Sequence, residues 1–190
     1  GQKVGAPNFR LDDVTALRTQ LAGIEAVAPQ VSKSMTVVAN GRNWQTSVVG
    51  TNTDYFTIDN RTFEDGRNFE EAEERAGSAV CVIGSTVANE LFGTTQNVVG
   101  RQIRTGGFSC RVIGLLKTKG TAAMEGDQDD LLVMPLKSVQ RRILGDNRVS
   151  ALLIRINADS DRERLKTAVK DLMRERRSLS SGDDDNFQIM

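Results

Sequence analysis

The stretch VSALLIRINADSDRERLKTAVKDLMRERR, residues 149–177, decides the fold class. Val149 to Ile156 is an aliphatic run of strand length. Ser160-Asp161-Arg162-Glu163 has the spacing of a capping box, in which the serine oxygen accepts the N3 amide and the glutamate reaches back. Leu165, Ala168, Val169, Leu172 and Met173 then recur on one helical face. Arg174, Arg176 and Arg177 suit the negative end of the helix. Ser178 to Asp185 is a polar turn, and Asn186 to Met190 reads as a further strand. The unit is strand–helix–strand.

Upstream, Val14, Leu17 and Leu21 predict a helix over residues 11–21, with Asp12 and Asp13 at its start and Gly23 just beyond its end. Ile24 to Val31 is extended, and Pro29 argues for an edge or a kink. Met35–Ala39 and Asn43–Val49 flank Asn40-Gly41, a strong hairpin pair. Trp44 in the return strand reads as core before binding anchor. Asn52 to Glu74 is irregular, with Tyr55, Phe56, Ile58, Phe63 and Phe69 as a small core beneath a long loop. Ala79–Ile83 is a buried strand, followed by a helix over Val87, Ala88 and Leu91 with Ser85 as its N-cap. Gln102–Thr105 and Phe108–Leu116 flank Gly106-Gly107 as a second hairpin. Residues 117–130 are a polar loop. Leu131–Met134 is a strand, and Pro135 opens a helix that stops at Gly145. The alternation is that of an α+β chain.

Composition restricts the chemistry. Twenty-five basic and 25 acidic residues leave no net charge, so nothing draws the chain to nucleic acid. Histidine is absent, which removes the commonest general base and zinc ligand. Gly84-Ser85-Thr86 lacks the lysine and spacing of a phosphate loop. The clusters Asp127, Asp129, Asp130 and Asp183, Asp184, Asp185 lack EF-hand spacing and read as solvated turns. Asn60-Arg61-Thr62 matches a glycosylation triplet too short to carry weight. No catalytic residue, metal site or cofactor is assigned. Cys81 and Cys110 fit two readings, small apolar core residues or a disulfide between neighbouring strands.

The ordered series of short motifs resembles the periplasmic core domain of MacB-like ABC-transporter permeases. It runs through Leu11-Asp12-Asp13-Val14, Gly23 to Pro29, Val48-Val49-Gly50 with Asp54-Tyr55-Phe56, and Glu64 to Phe69. It continues with Val80 to Val87, Leu91-Phe92-Gly93, Val99-Gly100, Arg111 to Gly114, and Met134-Pro135-Leu136 with Gln140-Arg141-Arg142. The resemblance implies a porter-like α/β subdomain, residues 1–49 and 148–190, with an inserted, mostly β sabre-like subdomain, residues 50–147. It implies a domain outside the inner membrane, in a fragment cut from a longer membrane protein. Such a domain transmits ATP-driven motion and contacts substrate or partners in export. Its implied partners are an ATP-binding subunit or domain that hydrolyses ATP, a second permease copy (homodimer or heterodimer), a periplasmic adaptor and an outer-membrane channel. The expected contact loop carries Lys117, Thr121, Met124 and Asp127. Two other readings stand beside it: a secreted or periplasmic ligand- or peptide-binding module, and a metal-assisted hydrolase built on one aspartate cluster. A saturable ligand shift in stability marks the first, and a Ca²⁺ or Mg²⁺ response the second.

Overall fold

Asn40 and Gly41 both take positive φ, 54° and 70°, the backbone of a two-residue hairpin turn. Strands β1 (Ile24–Ala39) and β2 (Arg42–Thr51) meet across it, with Ala39 opposite Arg42 and Val37 opposite Trp44. The structure, a computed structural model, describes residues 9–122 and 126–177. The expected strand at 186–190 lies outside the described residues.

The elements follow in order: α1 (Leu11–Gln20), β1, β2, α2 (Asp54–Ile58), β3 (Phe63–Gly66), α3 (Glu71–Ala76), β4 (Val80–Ile83), α4 (Ser85–Phe92) and the hairpin β5 (Gln102–Thr105) with β6 (Phe108–Leu116). Then come the small strands β7 (Thr121–Ala122) and β8 (Gly126–Asp127), β9 (Leu131–Pro135), and α5 (Leu136–Val139), which continues as one π-helical turn, Gln140–Leu144. Strand β10 (Ala151–Ile156) and α6 (Arg162–Arg176) complete them. The chain is α+β.

Strand β1 is 16 residues long and changes partner midway. Its first half pairs antiparallel with β10, up to Gln30 opposite Ala151, and its second half pairs with β2 from Val31. Pro29, which has no N–H to give, sits near the handover, and its carbonyl accepts the Thr51 hydroxyl at 2.7 Å. The sequence reading treated these halves as separate strands.

The ladder then closes on itself. β2 pairs with β9, β9 with β4, β4 with β6, β6 with β5, and β5 returns to β1 at Val37 and Val38. One alternating set of side chains points inward: Val37, Val48, Cys81, Ile103, Leu132 and Met134 share a core with Leu91 of α4 and Val139 of α5. The other set, including Val49, Val82 and Val133, packs under Tyr55, Phe56, Phe63 and Phe69. A third core joins α1 and α6 to the first half of β1 through Leu17, Val27, Val169 and Met173. Asp13 ties the two helices at their ends, accepting from Arg10 N–H at 2.8 Å and from Arg176 Nε at 2.7 Å.

Three helix starts differ from the sequence reading. Gly84, not Ser85, is the N-cap of α4, because the backbone of residue 84 lies flat against Asp129, where a Cβ would meet the Asp129 carbonyl oxygen at 2.1 Å. Pro135 ends β9 with extended backbone, paired with Thr51, and α5 starts one residue later. Asp161, not Ser160, caps α6, accepting from Arg164 N–H at 3.2 Å. Ser160 instead packs against Gly23, where an added Cβ would stand 2.5 Å from its Oγ.

Candidate partner-contact loop

The segment Lys117–Asp130 leaves the end of β6 and returns to the start of β9. Its two arms pair as β7 and β8, with Thr121 opposite Asp127. Thr121 and Asp127 are exposed, and Lys117 is exposed above a backbone bond from its N–H to Thr62 O at 2.9 Å. Met124 lies outside the described residues. The structure therefore brings Thr121 and Asp127 together in one small hairpin and sets Lys117 at its base.

The root of this hairpin is held by its aspartates. Asp129 is buried, and its carboxylate accepts from Lys119 N–H at 2.8 Å and from Gly120 N–H at 2.9 Å. Asp127 accepts from the Thr86 hydroxyl at 2.6 Å and from Asp129 N–H at 2.9 Å. Asp130 accepts from Trp44 Nε1 at 2.9 Å and Thr46 Oγ1 at 2.7 Å. Five of the six carboxylate oxygens of Asp127, Asp129 and Asp130 accept from donors of the protein. Among the described residues, no group of three or more acid, cysteine or histidine side chains is placed to hold a metal ion. Asp183, Asp184 and Asp185 lie outside the described residues.

Beneath the root sits Arg61, which enters the sequence reading only as the middle residue of the Asn60-Arg61-Thr62 triplet. It is buried, donates to Asp59 at 2.7 Å and to the Gln128 carbonyl, and stands 3.7 Å from Asp129. Lys119 Nζ donates to Asp59 O at 2.7 Å from the other side. A buried guanidinium needs such partners, since leaving it unpaired costs several kcal/mol, on the order of 3–5. No local signal marks Arg61, because its partners come from two segments about seventy residues apart in sequence. Tyr55, in the neighbouring aromatic core, has its hydroxyl pushed up to about 12 by burial and then by the charge of Asp59.

Cys81 and Cys110 lie elsewhere, in the inward core. Both are fully buried and form a disulfide, with their Cα atoms 5.8 Å apart, within the usual span. They link β4 to β6.

The family described as MacB-like periplasmic core domain matches residues 1–172. This chain belongs to that family. It is 34% identical over 180 residues to the macrolide export ATP-binding/permease protein MacB of Bdellovibrio bacteriovorus, covering 94% of this chain. It spans only 27% of that relative's length. Among solved structures, the periplasmic region of MacB from Actinobacillus actinomycetemcomitans aligns with a TM-score of 0.78 at 20% identity, over 90% of this chain and 76% of that one. The extracellular domain of the noncanonic ABC-type transporter YknZ from Gram-positive bacteria aligns at 0.74 and 20% identity, over 91% and 86%. Those two likenesses establish the fold. Among the described residues, no helix is long and apolar enough to cross a membrane.

Proposed function

We propose that this MacB-type periplasmic core domain is the extracytoplasmic part of an ABC-transporter permease, where it transmits ATP-driven motion and contacts substrate or partner proteins. The observation that carries this reading is the family match along residues 1–172. One feature of the fold supports it. Phe9 bridges Val149, and the Arg177 guanidinium lies 4.8 Å over the Phe9 ring, so the two ends of the described chain stand side by side. Such proximity suits a domain inserted between two membrane helices, as it suits many other domains.

On this reading the domain does no chemistry, and ATP is hydrolysed by an ATP-binding domain or subunit on the other side of the membrane. A second permease copy, a periplasmic adaptor and an outer-membrane channel are the proposed partners. The hairpin of Thr121 and Asp127 is the proposed contact loop: a hydrogen-bonded root presents these two exposed side chains without local refolding. We assign residues 1–49 and 148–190 to a porter-like unit and 50–147 to an inserted unit. β2 crosses the first boundary, so the two units are joined by a continuous hydrogen-bonded ladder. Asp54, held by Arg18 and by Val27 N–H at 3.1 Å, adds a side-chain clasp across it.

The test is the hydropathy of the full open reading frame. An apolar span of ~20 residues just before this segment and three more after it are expected for a permease. A frame holding only a cleaved signal peptide and this domain would overturn the reading in favour of a secreted binding module.

A further inference from the structure

The chain is neutral in total, but its charges are segregated. No Asp or Glu occurs from Ala26 to Thr53 or from Phe92 to Met124, while these two stretches carry seven Lys and Arg. The fold lays the two stretches side by side, because β1 and β2 come from the first and β5 and β6 from the second. Across the four strands runs one cross-strand row: Asn43 opposite Val38, Val38 opposite Arg104, Arg104 opposite Ser109. Beside it stand Thr36 and Gln45, paired with each other and both exposed.

Arg104 and Arg111 project from this outward face, and both are exposed. Arg42 and Arg101 stand at its rim, where Arg101 lies 4.7 Å over the Phe92 ring and Arg42 approaches Gly93. Among the described residues, none of these four arginines has a carboxylate within salt-bridge distance. Glu73 is near enough for Arg111 to help lower its pKa, but its carboxylate is engaged chiefly by two hydrogen bonds from Arg67. Glu90, exposed on α4, is the acid nearest in sequence.

We propose that this outward face of the β2–β1–β5–β6 quadrant docks an acidic segment of a partner protein. Charge complementarity names the partner's sign. The functional groups name its class: guanidinium forks match carboxylates two bonds at a time, and the interleaved Ser, Thr, Asn and Gln side chains add directional bonds. A single-stranded nucleic acid would need aromatic platforms, and this face exposes none. A lipid surface favours an apolar wedge, and the large hydrophobic residue exposed among those described, Leu11, is on α1. This surface is distinct from the hairpin at Thr121 and stands whether or not that hairpin contacts a partner.

The test uses the ¹⁵N-labelled chain titrated with a hexaglutamate peptide at low salt. The amides of Thr36, Asn43, Arg104 and Ser109 are expected to shift and saturate together, and the affinity to fall as salt shortens the screening length. Arg104→Gln is expected to weaken binding at least about threefold, as loss of one rim charge does. The double variant Arg42→Glu with Arg104→Glu is expected to abolish it. Shifts confined to α6, undiminished binding by Arg104→Gln, or no saturable shift overturns the proposal. So does binding to phosphatidylglycerol vesicles without binding to the peptide, which would assign the face to a membrane. If the double variant does not give a folded spectrum, the single variant decides.

Discussion

Tyr55 is the one tyrosine of the chain, so its titration can be read without interference from another phenol. Its hydroxyl is pushed up to about 12, first by burial and then by Asp59. A raised folded pKa favours the neutral form. The stability it contributes is complete below the ordinary tyrosine range near ~10 and is lost as pH rises through about 12. Absorbance at the phenolate band is expected to rise only near pH 12, together with unfolding; a clean transition near the ordinary value would contradict the buried placement. At Gly84 the limit is steric. A Cβ there would stand 2.1 Å from a backbone oxygen, so Gly84→Ala must shift either α4 or the root of the contact loop. The expected loss is about 1–3 kcal/mol in denaturant unfolding, and a loss below about 0.5 kcal/mol would show that the strand–loop contact is looser than described.

At the scale of elements, the cap of α6 separates two readings that differ by one residue. Asp161→Ala is expected to cost about 1 kcal/mol and Ser160→Ala clearly less; the reverse order would restore the serine as the cap. The expected serine–glutamate box is replaced by a simple aspartate cap one residue on, with Arg164 rather than Glu163 at N3, and Ser160 packs on Gly23, a contact no local pattern encodes. The hairpin at Asn40-Gly41 was fully legible, since its turn needs residues that accept positive φ. The closing pair of the ring was not, because β5 meets β1 across more than sixty residues and both carry ordinary alternation. The contact hairpin behaves likewise. Its polarity announced a loop, but Arg61 and the buried Asp129 beneath it show only in three dimensions. Replacing residues 122–126 by Asn-Gly spares that root and is expected to leave the unfolding midpoint nearly unchanged. Asp129→Ala is expected to lower it by about 3 kcal/mol in stability, as removal of one partner of a buried pair does. Equal effects of the two changes would contradict a root held together by Asp129.

For the molecule as a whole, a 29-residue separation is closed by Cys81 and Cys110. Closing a loop of that length stabilises by about 3–4 kcal/mol through the unfolded chain. Peptide mapping without reductant is expected to recover the two cysteines linked; free thiols on both would leave them as core residues. The fold class and family were legible because many weak motifs occur in one order. What the domain touches was not, because exposed polar side chains follow no periodicity or spacing that names a partner. We propose that the domain moves with the nucleotide state of the transporter. The direct measurement is the distance between spin labels at Ser32→Cys on two permease copies of the full-length transporter in lipid, nucleotide-free and vanadate-trapped. The distance distribution is expected to shift by several ångströms between the two states. An identical distribution in both would contradict this motion.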